Sequence, residues 1–447
     1  MNNAHRKIWN IGTGAHLSGT VPVHGNKNAA LPALTASLLL PLGETLSLEQ
    51  VPRISDVSVL MDILGHLGIT TQWTGPQQLS LTRTRPVDES PSVPAELTSL
   101  IRGSITLLGP LSGMYQNFRL PKPGGDKIGG RPIGAHITAL SDLGIDVADE
   151  AGHLVCTRAD TQLRGGTIML TEQSVTATLM LLLHSGFLPP DEQLTIIDAA
   201  CEPHVVTLCT ILEAMGAHIE GTYSNLLRIT WPDGRRAPDT PIRLDDDFME
   251  ATTYAIAAAI TRSDLEIPFH NAGIYLFLID RYLGWMGVRT ALERDHWTIF
   301  GSNSTLAIDP ILKTIKAEPW PRFPTDVMSM FVVLATQCTG PLKFVEYMYD
   351  DRFGFVQSLR DIGARIEQMP PHAIVVHGPT PLAGNELFLR PDIRSGAAML
   401  LAALCSSGTT ILHDRGGVID RGYQQLPETL ASLGAPITAS GLTDVFT

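Results

Sequence analysis

The sequence predicts a mixed α/β fold of six repeated modules in two domains, and three observations carry that expectation. First, six segments share one pattern, an amphipathic helix that ends at a glycine and runs at once into an alternating stretch: MDILGHLGITTQW, TALSDLGIDVADE, TILEAMGAHIE, RYLGWMGVRTALE, QSLRDIGARIEQM and ETLASLGAPITAS. Their glycines, Gly68, Gly144, Gly216, Gly287, Gly363 and Gly434, recur at intervals of 76, 72, 71, 76 and 71 residues. Second, the 447 residues, 44% hydrophobic and 17% charged, supply ample core and exceed one ordinary domain. Third, WPDGRRAPDTPIR at 231–243, with three prolines, a glycine and five charges, splits the repeats three and three.

Each element follows from local chemistry. A glycine at a helix end takes the left-handed conformation without strain, and the run after it (ITTQW, IDVAD, AHIEG) reads as a strand. Between the markers lie further helical runs, SVTATLMLLLHSG and EATTYAIAAAITRS among them, and short strands such as EQLTIIDAA and GTTILHD. The unit is an α/β module of about seventy residues. A second turn-rich stretch, SGTVPVHGNKNA, follows an N-terminal segment too short to be a module. If that segment completes the last module, the domains are 22–235 and 1–21 with 236–447. The chain then crosses between them twice, and a double crossing makes a hinge on which two domains close over a ligand.

Net charge is −13, which excludes nucleic-acid binding by bulk electrostatics, so an anionic ligand must meet a local cluster of cations. Five scattered cysteines without a CxxC pair suit a reducing cytoplasm and argue against a disulfide framework or structural zinc. The start MNNAHRKIWNIGTG lacks an apolar signal core, and apolar runs such as LTASLLLPLG break well before the ~20 residues of a membrane span. The expectation is a soluble protein.

One loop, PKPGGDKIGGRPIGAH at 121–136, packs five glycines among Lys122, Asp126, Lys127 and Arg131. It reads either as a solvated surface loop or as a lid closing over an anion. Turn-borne cations recur elsewhere: Lys27 with Asn28, Arg102, Arg352, Arg394 beside Asp392, and Arg421, with Asp326 in FPTD. Arginine forks and a lysine are what a small phosphate- and carboxylate-bearing dianion requires, though a single arginine is more often a surface ion pair. NKNAALPALTASLLL and RSGAAMLLAALCSSG open apolar helices, whose N-termini add to anion binding.

In this order, GNKNAALPAL, VPRISDV, RGSITLLGPL, PGGDKIGGRPIGAHI, FPTD, DDRF, DIRSGAA and IDRGYQQL resemble the enolpyruvyl transferases, the peptidoglycan branch more closely than the shikimate branch. The resemblance implies an inside-out α/β barrel in each of two domains, built from three βαβαββ modules, with the N-terminal strand in the second. It implies transfer of the enolpyruvyl group of phosphoenolpyruvate to a hydroxyl by addition and elimination, with neither metal nor organic cofactor. It assigns Lys27, Arg131 and Arg421 to the phosphate and carboxylate of phosphoenolpyruvate, Arg102, Arg352 and Arg394 to further cations of that site, and Asp392 to the carboxylate beside them. It places Asn28, Arg131, Pro132, Ile133, His136, Ser174, Val175, Asp326 and Met348 on the acceptor nucleotide, Asp326 as general base. Lys27 and Arg421 count as catalytic with it.

The sequence departs from that family in two places. Asp126 stands where the lid usually carries cysteine; a carboxyl can protonate C3 of phosphoenolpyruvate but does not readily open an epoxide, so Asp126 is expected as general acid and fosfomycin as a poor inactivator. On the nucleotide side Gly134 replaces an aspartate, Glu172 a lysine, Thr176 a glycine and Phe248 an arginine. Exchanging lysine for glutamate near a diphosphate turns attraction into repulsion. The acceptor expected is therefore a different uridine nucleotide, such as the 3′-hydroxyl of UMP in nucleoside-antibiotic biosynthesis, with UDP-N-acetylglucosamine as the alternative and a non-catalytic nucleotide-binding paralogue behind both. The sequence is silent on oligomeric state.

Overall fold

Each marker glycine closes a helix and opens a strand. The computed structural model describes residues 6–86, 93–270, 273–370 and 372–440. All six glycines there have positive φ, from +75° at Gly144 to +112° at Gly434, a region that strains a residue bearing Cβ. The helices they end are Ser55–His66, Gly134–Asp142, Pro203–Ala214, Gly273–Trp285, Val356–Asp361 and Leu426–Ser432. Such a helix buries one stripe: in Ser55–His66 the buried positions include Val57, Leu60, Ile63 and Leu64.

A second set is apolar nearly all round: Lys27–Thr35, Leu108–Met114, Val175–Ser185, Phe248–Ile260, Met328–Gln337 and Ile393–Leu404. Every residue of Phe248–Ile260 and of Ile393–Leu404 is buried, because a helix without a polar face must be covered on all sides. In the C-terminal half the three such helices pack on one another. The sheets lie outside them; in Asp264–Pro268, Leu265 and Ile267 are buried while Asp264, Glu266 and Pro268 face water. This inside-out α/β barrel arrangement is the expected fold class.

Five sheets repeat one topology, a parallel edge pair and then two antiparallel pairings. Ser18–Thr20 runs parallel to Asp264–Pro268, which is antiparallel to His296–Phe300, itself antiparallel to Thr290–Leu292. The sixth sheet, Asn117–Pro121, His153–Arg158 and Ile145–Glu150, has three strands among the described residues. Arg6–Ile11 is an inner strand between Thr410–Arg415 and Ile437–Ser440. The outermost residues assigned above to the second domain, 1–5 and 441–447, lie outside the described residues.

Two separate hydrophobic cores form. One draws on Ala30 through Leu244, the other on Trp9 through Val23 together with Phe248 through Ile437. The stretch 231–243, expected to carry the break, stays with the first core. Trp231 is buried and donates to Ser185 Oγ at 3.1 Å, and Ile242–Arg243 pairs in parallel with Leu48–Glu49. We therefore place the second crossing between Leu244 and Phe248, later than the expected boundary at 235, because the proline-rich segment completes a sheet edge instead of linking domains.

The two crossings run side by side. Asn26 N–H donates to Asp245 O at 2.9 Å, Asp247 N–H to His24 O at 2.8 Å, and Gln50 Nε2 to Asp246 Oδ1 at 2.8 Å. Gly25 is required there, since a Cβ would lie 1.6 Å from the Gln50 carbonyl oxygen. No helix among the described residues is long and apolar enough to cross a membrane.

Candidate active site

Several of the helices that start beside these crossings begin with charged groups. Asn26 caps Lys27–Thr35 by accepting from Ala29 N–H at 3.0 Å, which sets Lys27 and Asn28 at the helix mouth. Asp392 caps Ile393–Leu404 by accepting from Arg394 and Ser395 N–H at 3.1 and 3.3 Å, fixing Arg394 on the first turn. Asp326 lies in the short turn Thr325–Val327 ahead of Met328–Gln337, and Arg421 ends the turn Ile419–Arg421. Side chains from both halves meet around a cavity of about 200 Å³.

Its wall includes Lys27, Asn28, Arg102, Asp126, Arg131, Val175, Asp326, Met348, Arg352 and Arg421. Arg394 and Asp392 stand directly behind it, within ion-pair reach of Asp326 and Arg352. Pro132 enters through its carbonyl, 3.5 Å from Arg102 Nη2, and His136 through its Nε2, 2.9 Å from Thr176 Oγ1 on the wall. Ser174 caps the helix Val175–Ser185, and Ile133 packs on the first core instead of the wall.

Two ion-pair clusters organise the cations. In the first, Asp56 holds Lys27 Nζ at 3.3 Å and Arg421 Nε at 3.0 Å, while Arg421 Nη1 reaches Asp126 Oδ1 at 2.6 Å. In the second, Asp326 Oδ1 bonds Arg352 Nη2 at 2.5 Å, Asp326 Oδ2 takes Asn28 Nδ2 at 3.3 Å and lies 3.7 Å from Arg394 Nη2, and Arg352 Nη1 reaches Asp392 at 3.4 Å. Burial pushes the Asp326 carboxyl up, but Arg394, then Arg352 and Lys27, outweigh it and hold the group well below the usual carboxylate range. Its side chain stays 30% exposed, so a ligand can reach it.

Arg102 and Arg131 differ from these pairs. Arg102 donates to the Arg131 carbonyl at 2.8 Å, and burial followed by the like charge of Arg131 lowers it to about 10. Arg131 rests 5.5 Å over the Tyr349 ring, and Arg352 lies 5.7 Å from the same ring. Two neighbouring guanidinium groups without a carboxylate partner among the described residues form a ready anion site. Lys27, Arg102, Arg131, Arg352, Arg394 and Arg421 outnumber the aspartates Asp56, Asp126, Asp326 and Asp392, while Glu202 and Glu318 also line the cavity.

The glycine-rich loop is docked over this cavity. Lys127 N–H donates to Pro391 O and Asp351 N–H to Ile128 O, both at 3.0 Å, so a loop from the first half is bonded to the second. Ile128 is buried on the cavity wall. The loop is therefore packed against the cavity rather than wholly solvated. Asp56, Tyr349, Glu202, His204 and Trp320 also line or brace the site and were not singled out in the sequence. Asp56 sits in the first turn of Ser55–His66, where an acid ordinarily just complements the helix dipole.

On the nucleotide side, Gly134 opens its helix with no atom within 4 Å of where a Cβ would be, and Glu172 is exposed. Phe248 lines the cavity.

A family model described as EPSP synthase (3-phosphoshikimate 1-carboxyvinyltransferase) matches residues 11–430. The chain belongs to the EPSP synthase family. Within that family it is 38% identical over 431 residues to the UDP-N-acetylglucosamine 1-carboxyvinyltransferase of Bradyrhizobium diazoefficiens, covering 95% of this chain and 96% of the relative. It is 35% identical to the enzyme of the same name from Treponema pallidum, covering 97% and 99%. Among solved structures, the enolpyruvyl transferase NikO from Streptomyces tendae superposes with a TM-score of 0.84 at 24% identity, over 97% of this chain and 99% of that one. EPSP synthase from Acinetobacter baumannii gives 0.71 at 18%, over 97% and 100%. The chain is thus an enolpyruvyl transferase, an enzyme that moves a carboxyvinyl group.

Proposed function

We propose that this enolpyruvyl transferase draws its group from phosphoenolpyruvate and passes it to a hydroxyl of a uridine nucleotide, the 3′-hydroxyl of UMP being the leading acceptor. One observation supports the donor above the rest: six cations from both halves surround one cavity beside a reachable Asp326. The phosphate and carboxylate of phosphoenolpyruvate engage Lys27, Arg131 and Arg421, with Arg102, Arg352 and Arg394 adding positive potential. The acceptor oxygen attacks C2 as Asp326 takes its proton, and Asp126 gives a proton to C3. Phosphate then leaves from C2 with loss of a proton from C3, which restores the double bond.

Asp126 is bonded to Arg421 before the donor arrives. When the donor's carboxylate claims that guanidinium, Asp126 loses its cationic partner and is left facing the reacting carbon. Asn28, Arg131 and Met348 serve the acceptor, with Pro132, His136, Ser174 and Val175 shaping its nucleotide end. Phe248 on the wall, where the family usually carries an arginine, favours an acceptor without a diphosphate there, as a cytoplasmic enzyme of nucleoside-antibiotic assembly would use. The relatives' names favour a second reading, UDP-N-acetylglucosamine as acceptor.

The deciding experiment is a phosphate-release screen with phosphoenolpyruvate over UMP, UDP, uridine and UDP-N-acetylglucosamine, with mass detection of the carboxyvinyl adduct. The proposal expects the highest turnover with UMP. Turnover confined to UDP-N-acetylglucosamine selects the second reading, and release with none of them overturns the uridine-nucleotide acceptor.

A further inference from the structure

For Asp326 to act on a hydroxyl, the backbone turn that bears it must hold still. The segment ahead of it is fixed first at Phe323, which is buried beside the rings of Tyr282 and Phe331 at 4.9 and 5.0 Å and whose carbonyl accepts from Glu318 N–H at 3.2 Å. Two residues on, Thr325 is held from both sides. Its carbonyl accepts from Arg352 Nη2 and Nε at 3.1 and 3.3 Å, and its hydroxyl donates to Glu346 Oε2 at 2.5 Å.

Glu346 ends the strand Gly340–Glu346, opposite Ala317 of the parallel strand Thr314–Ala317, and is 1% exposed. Its other oxygen accepts from the N–H groups of Met348 and Tyr349 at 2.5 and 3.2 Å. A turn of this kind closes as readily on a neutral asparagine or serine, without the cost of burying a charge. Burial raises the Glu346 carboxyl above the ordinary glutamate range, and the Thr325 hydroxyl is foremost among the groups that oppose the rise. One acid thus spans two loops of the cavity wall, the turn that carries Asp326 and the loop that carries Met348, Tyr349 and Arg352.

We infer that Glu346 is a positioning residue for the transfer: through Thr325 it sets how Asp326 meets the acceptor hydroxyl, and through Met348 and Tyr349 it holds the loop facing the acceptor. Two of the donor's cations stand outside this set of bonds, since Lys27 and Arg421 are fixed by Asp56. Loosening Glu346 should therefore slow the chemical step and leave the grip on phosphoenolpyruvate nearly as it was. The inference rests on the reading of Asp326 as general base.

Steady-state kinetics of the full chain with phosphoenolpyruvate and UMP, and with UDP-N-acetylglucosamine in place of UMP, test it, turnover being counted per folded molecule by circular dichroism. Thr325→Val keeps the shape of the side chain and removes the bond, so kcat should fall at least about tenfold while KM for phosphoenolpyruvate stays within about twofold. Thr325→Ser keeps a hydroxyl and should recover most of that loss. Adding Glu346→Gln, which retains an oxygen for Met348 and Tyr349, to Thr325→Val should cost less than about threefold more, because both changes act on one bond. If Thr325→Val fails to fold, Thr325→Ala against Thr325→Ser decides in the same way. Unchanged kcat, equal losses with and without the hydroxyl, a KM raised as much as kcat is lowered, or a full independent loss from Glu346→Gln overturns the positioning role alone, provided that Asp326→Asn loses turnover. Full turnover by Asp326→Asn, or none by the unaltered protein with either acceptor, removes the functional reading and the positioning role with it.

Discussion

Asp126 and Arg421 stand far apart in sequence yet bond at 2.6 Å, so the lid's one carboxylate touches the last cation of the site. The chemistry at that point depends on an oxygen acid where a thiol would be a soft nucleophile. The unaltered protein should show no covalent fosfomycin adduct by intact mass, and Asp126→Cys should acquire one. Asp326→Asn should lower turnover by about 10² to 10⁴, the range of a lost general base, while Arg352 keeps Asp392 and the Thr325 carbonyl as partners. These residues were legible because each stands in a turn motif whose residue types already suggest anions. Asp56 was not, because its link to Lys27 and Arg421 joins segments that only the closed fold brings together.

For the lid, density of glycine announced mobility, but which glycine matters is set by what it lands on. A Cβ at Gly129 would lie 2.9 Å from Asp350 Cβ and Asp351 N, at a φ of +101°, whereas one at Gly130 would meet nothing closer than 3.5 Å. Gly129→Ala should therefore prevent the lid from docking, with turnover down at least about tenfold and faster proteolysis within 121–136, and Gly130→Ala should behave nearly as the unaltered protein. Similar reasoning explains the domain break. Proline and glycine in 231–243 read as a linker, but Trp231 and Ile242 bind that segment to the first core, and no pattern in the sequence reports a pairing with Leu48.

Over the whole molecule, the six-module plan was legible from period alone, because a helix-ending glycine must recur wherever the same unit does. Protonation of the interior was not. Burial first, with Arg158 and Arg102 adding to it, lowers His184 to about 4 and His136 to about 3, and His204 is also near 4. The unfolded chain takes up these protons below about pH 6.5 and the folded chain does not, so stability should fall as pH drops from 6.5 toward 4. Each contributes up to about 1.4 kcal/mol per pH unit. His24, where Glu250 outweighs burial and raises the pKa, acts in the opposite sense and loses its contribution as pH rises through its folded value. Buried acids with raised pKa, Asp247 at about 6 among them, act in the same sense as His24, so the test is a difference: in thermal melts between pH 6.5 and 4, His184→Gln should lose less stability than the unaltered protein.

The most direct measurement is a crystal structure of Asp326→Asn protein with phosphoenolpyruvate and UMP. The account predicts one phosphoester held by Lys27 and Arg131 of the first half and Arg421 of the second, with a ribose hydroxyl within hydrogen-bond reach of residue 326. Phosphoenolpyruvate held by cations of a single half, or a ribose turned away from that position, would contradict it.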